Sequence, residues 1–199
     1  MNMTDLEKYI IQSEPEKSEK ARIWQTAIGL QDVDGLKPSE YLIRTAEKHI
    51  EGDITIAEVK SLIDSYYESK GVRKEVETEG TEEADKVAAR ITEILSERAF
   101  SFTPDFLVKI HQRLFSGVYE HAGMIRQNNI SKKEWVLDGD TVIYSGYDMI
   151  RQTLEYDFSQ EQGTDYPSMS ADEAIKRVCR FVSGIWQIHP FSEGNTRTT

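Results

Sequence analysis

Apolar residues recur three and four positions apart along most of this chain, which is the spacing of one face of an α-helix. The period is present in residues 21–30, 42–50, 55–67, 84–99, 104–114, 147–160 and 171–188. The last segment has the most continuous apolar stripe, made of Ile175, Val178, Cys179, Val182, Ile185 and Trp186. The sequence therefore predicts an all-α protein in which Cys179 is a buried hydrophobic side chain and not a nucleophile.

Residues that favour helix starts precede several of these segments. Thr55 with Glu58, and Ser170 with Glu173, have the spacing of a capping box. The Thr-Pro pair at 103–104 is typical of an N-cap followed by proline at the first helical position. These signals predict helices that begin just after residues 55, 103 and 170.

Residues 130–145 break the helical pattern. Two short β-prone runs, 134–137 and 141–144, flank the turn sequence DGD (138–140) and predict a β-hairpin. An isolated hairpin is only marginally stable in water, so we expect it to lean on the helices or to act as a mobile flap. Trp135 lies on its first strand and is either an anchor for the hairpin or a surface that meets another protein.

Composition excludes several classes of partner. Among 199 residues, 38% are hydrophobic and the formal net charge is −11, which makes the chain a poor general binder of nucleic acid or of an anionic membrane. One cysteine excludes an internal disulfide, as is usual in a reducing compartment. No apolar run approaches the roughly 20 residues of a membrane helix, and the N-terminus lacks a signal-peptide pattern. We expect a cytoplasmic protein without nucleic-acid or membrane partners.

Charge patterning divides the chain. Residues 69–85 have few large apolar side chains and many charges, which is typical of a linker or a solvated loop. The sequence accordingly predicts a small helical N-terminal region (1–69), a linker (70–83) and a helical core (84–199).

The residue types with the most chemistry lie together at 189–197, in the sequence HPFSEGNTR. Pro190 disfavours a helical backbone at His189, so the preceding helix is expected to end there. Residues 195–196 suit the cap of a new helix. Free backbone N–H groups at such a helix start favour an anion, and Arg197 adds a positive fork that suits phosphate.

Two further side chains belong to this cluster. Glu193 is a carboxylate of the kind that holds Mg²⁺ together with phosphate oxygens. His189 is suited to take a proton from a hydroxyl near neutral pH. A base, a metal carboxylate and an arginine within nine residues indicate nucleotide phosphate chemistry. The alternative is a helix–loop–helix corner whose polar residues only cap and pair.

The stretch 189–197 resembles the signature of the Fic family, His-x-Phe-x-Asp/Glu-Gly-Asn-Gly-Arg. GVYEHAGMIR (117–126) resembles the Ala-Gly-x-x-Arg stretch before the flap of Fic proteins, and the predicted hairpin lies where they carry that flap. The resemblance covers residues 84–199. It implies an all-α, Fic-type helical bundle with one β-hairpin flap that transfers AMP from ATP to a hydroxyl of a target protein, with magnesium.

The resemblance also implies a role for each matching position. His189 would be the general base that deprotonates the target hydroxyl, Phe191 a buried anchor beneath the loop, and Glu193 the magnesium ligand. The nucleotide phosphates would be bound by Gly194, Asn195, Thr196 and Arg197. The flap would align the target segment by strand addition, through Glu134, Trp135, Val136 and Leu137.

Two positions depart from the family signature. Thr196 replaces the usual glycine, where its side chain either crowds the close backbone approach or contributes a hydrogen bond. A second arginine of the signature would fall one position past Thr199, so the sequence predicts a core truncated just after the signature. Three functions stay open: AMP transfer, transfer of another phosphate-containing group, and binding of a nucleotide or partner without turnover.

The N-terminal region carries a second resemblance. GDITIAEVKSLIDSYY (52–67) is similar to a segment of the small antitoxin-type domains that accompany Fic proteins. Residues 1–69 are therefore either a regulatory region that contacts the core or an ordinary helical extension.

The remaining candidate residues are isolated along the chain. His49 and His111 are predicted to be structural, and no Cys/His spacing suggests zinc. His121, beside an Ala-Gly pair, is a candidate for a place near the cleft. Arg126 is expected to stabilise the loop before the flap.

Overall fold

The computed structural model of the chain describes residues 4–12, 14–69, 76–131 and 142–199. All regular secondary structure in these ranges is helical, which confirms the all-α fold. Contacts between the helices divide the chain into two units, Met1–Ala99 and Phe100–Thr199. No helix among the described residues is both long and apolar enough to cross a bilayer.

The first strand of the predicted flap and its turn, with Glu134, Trp135, Val136 and Leu137, lie outside the described residues. The end of its second strand, residues 142–144, is described and has no regular secondary structure. The hairpin therefore stays a prediction.

The first unit contains helices α1 (Thr4–Gln12), α2 (Pro15–Asp32), α3 (Glu40–Glu51), α4 (Ile56–Ser69) and α5 (Val76–Ser96). Helix α1 was not predicted, because nine residues show little more than two turns of a periodic pattern. Helix α5 packs against α2 and α4, and α2 packs against α1 and α3. The core includes the buried side chains of Trp24, Leu42, Ile50, Ile63 and Val87.

Local sequence signals explain the ends of α3 and α4. Ser39 caps α3, because its hydroxyl accepts a hydrogen bond from the Leu42 N–H at 3.0 Å. Gly52 ends α3 with φ 90°, a left-handed conformation that favours glycine. The predicted capping box of α4 is present: Glu58 accepts from the Thr55 N–H at 2.7 Å, and the Thr55 hydroxyl accepts from the Glu58 N–H at 3.3 Å.

The first unit extends further along the chain than the sequence predicted. Residues 76–83, expected to be linker, form the start of α5, because glutamate has a high helix propensity even where apolar side chains are few. Ala84, Val87 and Ile91 are buried in this unit. The helix expected to open the core at residue 84 therefore belongs to the first unit, and the second unit begins at Phe100.

The second unit contains α6 (Pro104–Phe115), α7 (Ile150–Gln162), a 3₁₀ turn (Tyr166–Ser168), α8 (Ala171–Ile188) and the short α9 (Asn195–Thr198). Thr103 caps α6, and Ser170 with Glu173 forms the predicted capping box of α8. The core of the unit consists of Leu107, Ile150, Leu154, Phe158, Ile185, Ile188 and Phe191. Because Phe191 belongs to this core, the loop after α8 is anchored within the unit.

The apolar stripe of α8 is only partly buried. Ile185 lies in the core, whereas Ile175 is 61% and Val178 46% exposed. Cys179 is exposed as well, so the prediction that it is buried was wrong. The physical reason is that the core reaches α8 only near its C-terminal end. Upstream, Val178 lines an open apolar cavity of about 520 Å³ together with Phe102 and other phenylalanines.

Candidate functional site

Helix α8 leads directly to His189. The His189 N–H donates to the Ile185 carbonyl at 3.3 Å, and the residue caps the helix with φ 53°. Among the described residues, His189 alone combines a side chain with a positive φ. The helix therefore ends at His189, immediately before Pro190, as the sequence predicts.

The imidazole of His189 has aromatic neighbours, and the residue is 4% exposed. The ring centroid of Tyr144 lies 4.3 Å from that of His189. The ring of Trp186 lies 6.0 Å away at an interplanar angle of 81°. Neither aromatic residue was predicted to belong to the site. For Trp186 a signal existed, since residues three apart on a helix are neighbours.

Asn195 closes the loop that follows His189. Its side-chain oxygen accepts from the Phe191 N–H at 2.9 Å, and its amide nitrogen donates to the Phe191 carbonyl at 2.7 Å. The Thr198 hydroxyl adds a bond to the Gly194 carbonyl at 2.8 Å. Both polar ends of the Asn195 side chain therefore shape the loop, and the phosphate role of this residue stays a prediction.

Gly194 stands where the loop turns into α9. Its φ is 73°, and a Cβ added there would lie 2.5 Å from the Phe115 ring. Both facts favour glycine, because a side chain would face a strained backbone and an aromatic ring at once. With any other residue type at position 194, the loop and α6 could not approach each other this closely.

His111 on α6 clamps the same loop. Its ring stacks on that of Phe191, with centroids 3.8 Å apart and an interplanar angle of 11°. Its Nδ1 accepts from the Gly123 N–H at 2.8 Å, so Nε2 carries the proton and donates to the Glu193 carbonyl at 3.1 Å. Burial lowers the pKa of His111 to about 4, which keeps the ring neutral near pH 7.

Arg197 is 6% exposed and is held by two aromatic rings. Its Nη2 donates to the Tyr119 hydroxyl at 3.0 Å. Its guanidinium carbon lies 4.9 Å from the centroid of the Phe115 ring, a cation–π arrangement. Tyr119 was not predicted as a site residue, and only the resemblance around 117–126 marked its surroundings.

Thr196, which replaces the usual glycine of the signature, makes a hydrogen bond. Its hydroxyl oxygen accepts from the Trp186 indole N–H at 3.3 Å. Of the two consequences left open by the sequence, the structure shows the added hydrogen bond. This bond joins the first turn of α9 to the last turn of α8.

Glu193 lies between these anchored positions and is exposed. The bond from His111 holds its backbone carbonyl and leaves the carboxylate at the surface. The described residues contain no group of three or more His, Cys, Asp or Glu side chains that could enclose a metal ion. A single exposed carboxylate fits Mg²⁺, which commonly binds one or two protein carboxylates together with phosphate oxygens and water.

His121 lies next to Tyr119. Its ring stacks on Tyr119 with centroids 5.3 Å apart, and Tyr119 in turn binds Arg197. The Nε2 atom of His121 is buried and has no hydrogen-bond partner among the described residues. The sequence placed His121 near the cleft, and the structure places it next to the residue that binds Arg197.

Comparison with known proteins identifies the second unit. The profile of the Fic/DOC family matches residues 101–199. The protein adenylyltransferase VbhT of Bartonella schoenbuchensis is 35% identical over 97 residues, which cover 49% of this chain and 19% of VbhT. The chain thus spans only a small part of that relative's length. With this match and the folded signature loop at 189–198, residues 101–199 belong to the Fic/DOC family.

Proposed function

We propose that the Fic/DOC domain, residues 101–199, transfers AMP from ATP to a hydroxyl side chain of a target protein. The observation that carries this proposal is the folded signature loop, in which Phe191 and Asn195 organise the backbone around His189, Glu193 and Arg197. The similarity to a protein named protein adenylyltransferase supports the same chemistry.

In the proposed reaction, the oxygen of the target hydroxyl forms a bond to the α-phosphorus of ATP. The bond from that phosphorus to its bridging oxygen breaks, and pyrophosphate leaves. His189 takes the proton of the hydroxyl as general base, a role for which imidazole is suited near neutral pH. Positioning and charge neutralisation supply most of the rate enhancement in phosphate transfer of this kind.

The phosphates would be bound at the start of α9. Arg197 supplies a permanent positive charge, and Tyr119 and Phe115 fix its guanidinium in one place. Gly194 allows the backbone N–H groups of residues 194–197 to approach the phosphates without a side chain in the way. Low exposure of Arg197 strengthens its attraction for a phosphate, because water screens the charge less.

Glu193 would hold Mg²⁺ together with the phosphate oxygens. When bound, the ion neutralises part of the triphosphate charge. Glu193→Gln is therefore expected to raise the Mg²⁺ concentration needed for half-maximal activity. The matched control is Glu155→Gln, an exposed carboxylate on α7.

The partners in this proposal are ATP and a protein substrate. Residues 134–137 of the predicted flap would align a segment of the substrate by strand addition. Residues 1–69 would act as a regulatory region, in keeping with the resemblance of residues 52–67 to antitoxin-type domains.

Label transfer tests the proposal. The chain, a His189→Ala variant and a Gln160→Ala control at the surface of α7 are incubated with Mg²⁺, a cell lysate and ATP labelled on either the α- or the γ-phosphate. Transfer from α-labelled ATP by the chain and the control, but not by His189→Ala, is the expected result. Label from γ-labelled ATP alone would indicate phosphoryl transfer instead. ATP binding without label would indicate a domain that binds without turnover.

A further inference from the structure

Arg126 lies outside the signature loop but contacts its first residues. The residue is 4% exposed. Its backbone N–H donates to the Pro190 carbonyl at 3.0 Å. Its side-chain Nε donates to the His189 carbonyl at 2.8 Å, and Nη2 donates to the Ile188 carbonyl at 3.3 Å. Three consecutive carbonyls at the end of α8 are therefore bound by one residue.

These bonds satisfy carbonyl groups at the C-terminal end of α8. The last carbonyls of an α-helix have no partner within the helix, and the negative end of the helix dipole favours a cation there. Helix α8 has no basic residue in its last turn. Arg126 supplies the missing positive charge and the missing donors from another part of the chain.

The same bonds act on the backbone of His189. A left-handed backbone is unfavourable for a residue with a side chain and persists only where its surroundings hold it. The His189 N–H is bound within α8, its carbonyl is bound by Arg126, and the next carbonyl is bound by the Arg126 backbone. Because the backbone sets the direction of the Cα–Cβ bond, Arg126 also sets where the imidazole points.

The guanidinium also binds residues on either side of the predicted flap. Nη1 donates to the Asn128 carbonyl at 2.7 Å, and Nη2 donates to the Ser145 carbonyl at 2.6 Å. Asn128 and Ser145 lie on either side of residues 134–137, which the sequence assigns to the flap. Tyr144, whose ring lies 4.3 Å from that of His189, is the neighbour of Ser145.

We propose that Arg126 is a positioning residue for His189, and that its guanidinium fixes the His189 backbone relative to both ends of the segment 128–145. The planar fork of arginine has donors that point in several fixed directions, whereas the ammonium of lysine is a compact charge on a flexible stem. Both the charge and the fork are therefore required. The consequence for catalysis rests on the proposed function; the consequence for the His189 ring does not.

The test uses Arg126→Lys, which keeps the charge and removes the fork, with Arg151→Lys on the exposed face of α7 as the matched control. We expect kcat for AMP transfer to fall by about a hundredfold, as a misplaced catalytic group causes. The KM for ATP should change by less than about threefold, because His111 and Asn195 still hold the signature loop. The ring nitrogen and carbon resonances of His189 are expected to shift in Arg126→Lys but not in Arg151→Lys.

A kcat in Arg126→Lys equal to that of the control would overturn the proposal, because the charge alone would then suffice. Unchanged His189 ring resonances would overturn it even in a chain that transfers no AMP, so failure of the proposed function is distinguishable. If Arg126→Lys does not fold, solvent exchange of the Arg126 Nε proton in the unaltered chain decides. Exchange as fast as that of exposed Arg151 contradicts the bond to His189, and slow exchange supports it.

Discussion

Gly194 is the residue at which backbone conformation and packing impose the same choice. A substitution to alanine meets the left-handed φ of 73° and brings Cβ within 2.5 Å of the Phe115 ring. Gly117 has a similar φ of 72° but no atom within 4 Å of an added Cβ. The pair therefore separates the cost of the backbone from the cost of the contact.

We expect Gly194→Ala to lower the free energy of unfolding by about 2–5 kcal/mol, the sum of a left-handed residue and an overpacked contact. Gly117→Ala should cost only the backbone part, about 1–2 kcal/mol. Urea denaturation of the two variants measures the difference. Equal losses would show that the loop moves away from Phe115 at little cost.

His111 makes the stability of the chain depend on pH. In the unfolded chain its pKa is near 6.5, and in the fold burial lowers that pKa to about 4. Between these values the unfolded state binds more protons. The contribution of His111 is therefore fully present above pH 6.5 and is lost as the pH falls toward 4.

An NMR titration of the His111 ring is expected to show a neutral imidazole at pH 5.5. The urea midpoint of the unaltered chain should fall between pH 6.5 and pH 4.5, and more steeply than that of His111→Gln, which removes the titrating group. A titration midpoint of the His111 ring near pH 6.5, or identical slopes for the two chains, would contradict the buried position of His111 against the loop.

At the scale of residues, the sequence predicted the members of the signature loop but not their neighbours. His189, Glu193 and Arg197 could be proposed as site residues because their chemistry is concentrated in one stretch. Tyr119 and Tyr144 were missed, because a site is completed by residues distant in sequence and the helical period does not tell which helix faces meet.

Helix α8 leads directly to His189 at its C-terminal end, and its start lies far from that residue. The Ser170 hydroxyl accepts from the Glu173 N–H at 3.4 Å, and Glu173 accepts from the Ser170 N–H at 2.9 Å. This capping box stabilises the helix without contacting the signature loop.

Ser170→Ala is accordingly expected to lower the free energy of unfolding by about 1 kcal/mol, the usual cost of a lost N-cap. AMP transfer per folded molecule should be unchanged. Ser183→Ala, at an exposed position within α8, should instead stabilise the chain slightly, since alanine is the better helix former. A loss of activity in Ser170→Ala without a loss of stability would contradict this separation.

At the scale of helices, starts and ends that carry a cap or a proline were predicted well, whereas α1, the start of α5 and the extent of burial were not. Caps and prolines act locally, so Thr103, Ser170 and Pro190 could be interpreted from neighbouring residues alone. Which part of a stripe is covered depends on what packs against it. The exposed position of Cys179 shows that an apolar period does not establish burial along the whole length of a helix.

The chain as a whole consists of two units, and one buried carboxylate is central to the first. Asp85 accepts from the Ser39 N–H at 2.8 Å, from the Ser39 hydroxyl, and from the Tyr67 hydroxyl at 2.8 Å. Burial and this carboxylate raise the pKa of Tyr67, which stays protonated as a donor. Asp85 thereby ties α5 to the start of α3 and to α4.

Asp85→Ala leaves these donors unpaired, at a cost of about 1–3 kcal/mol for each buried one. Hydrogen exchange should accelerate in α3 and α5 and stay unchanged in α8, if the two units open separately. Asp64→Ala, whose exposed carboxylate lies 3.7 Å from Lys86, should change little. Equal acceleration in α8 would show that the two units unfold together.

The boundary between the units was the least predictable feature at this scale. The charged run before residue 84 suggested a linker, whereas residues 76–83 belong to helix α5, in which Ala84 and Val87 are buried. Composition indicates how polar a segment is, but the packing of the following residues decides to which unit it belongs.

The dependence of AMP transfer on His189 is tested most directly by mass spectrometry of acceptor peptides after incubation with Mg²⁺ and ATP. If His189 is the general base, the unaltered chain and Gln160→Ala add one AMP to a hydroxyl-bearing side chain, and His189→Ala adds none. An AMP adduct formed at equal yield by His189→Ala, or a phosphate group in place of AMP, would contradict that role.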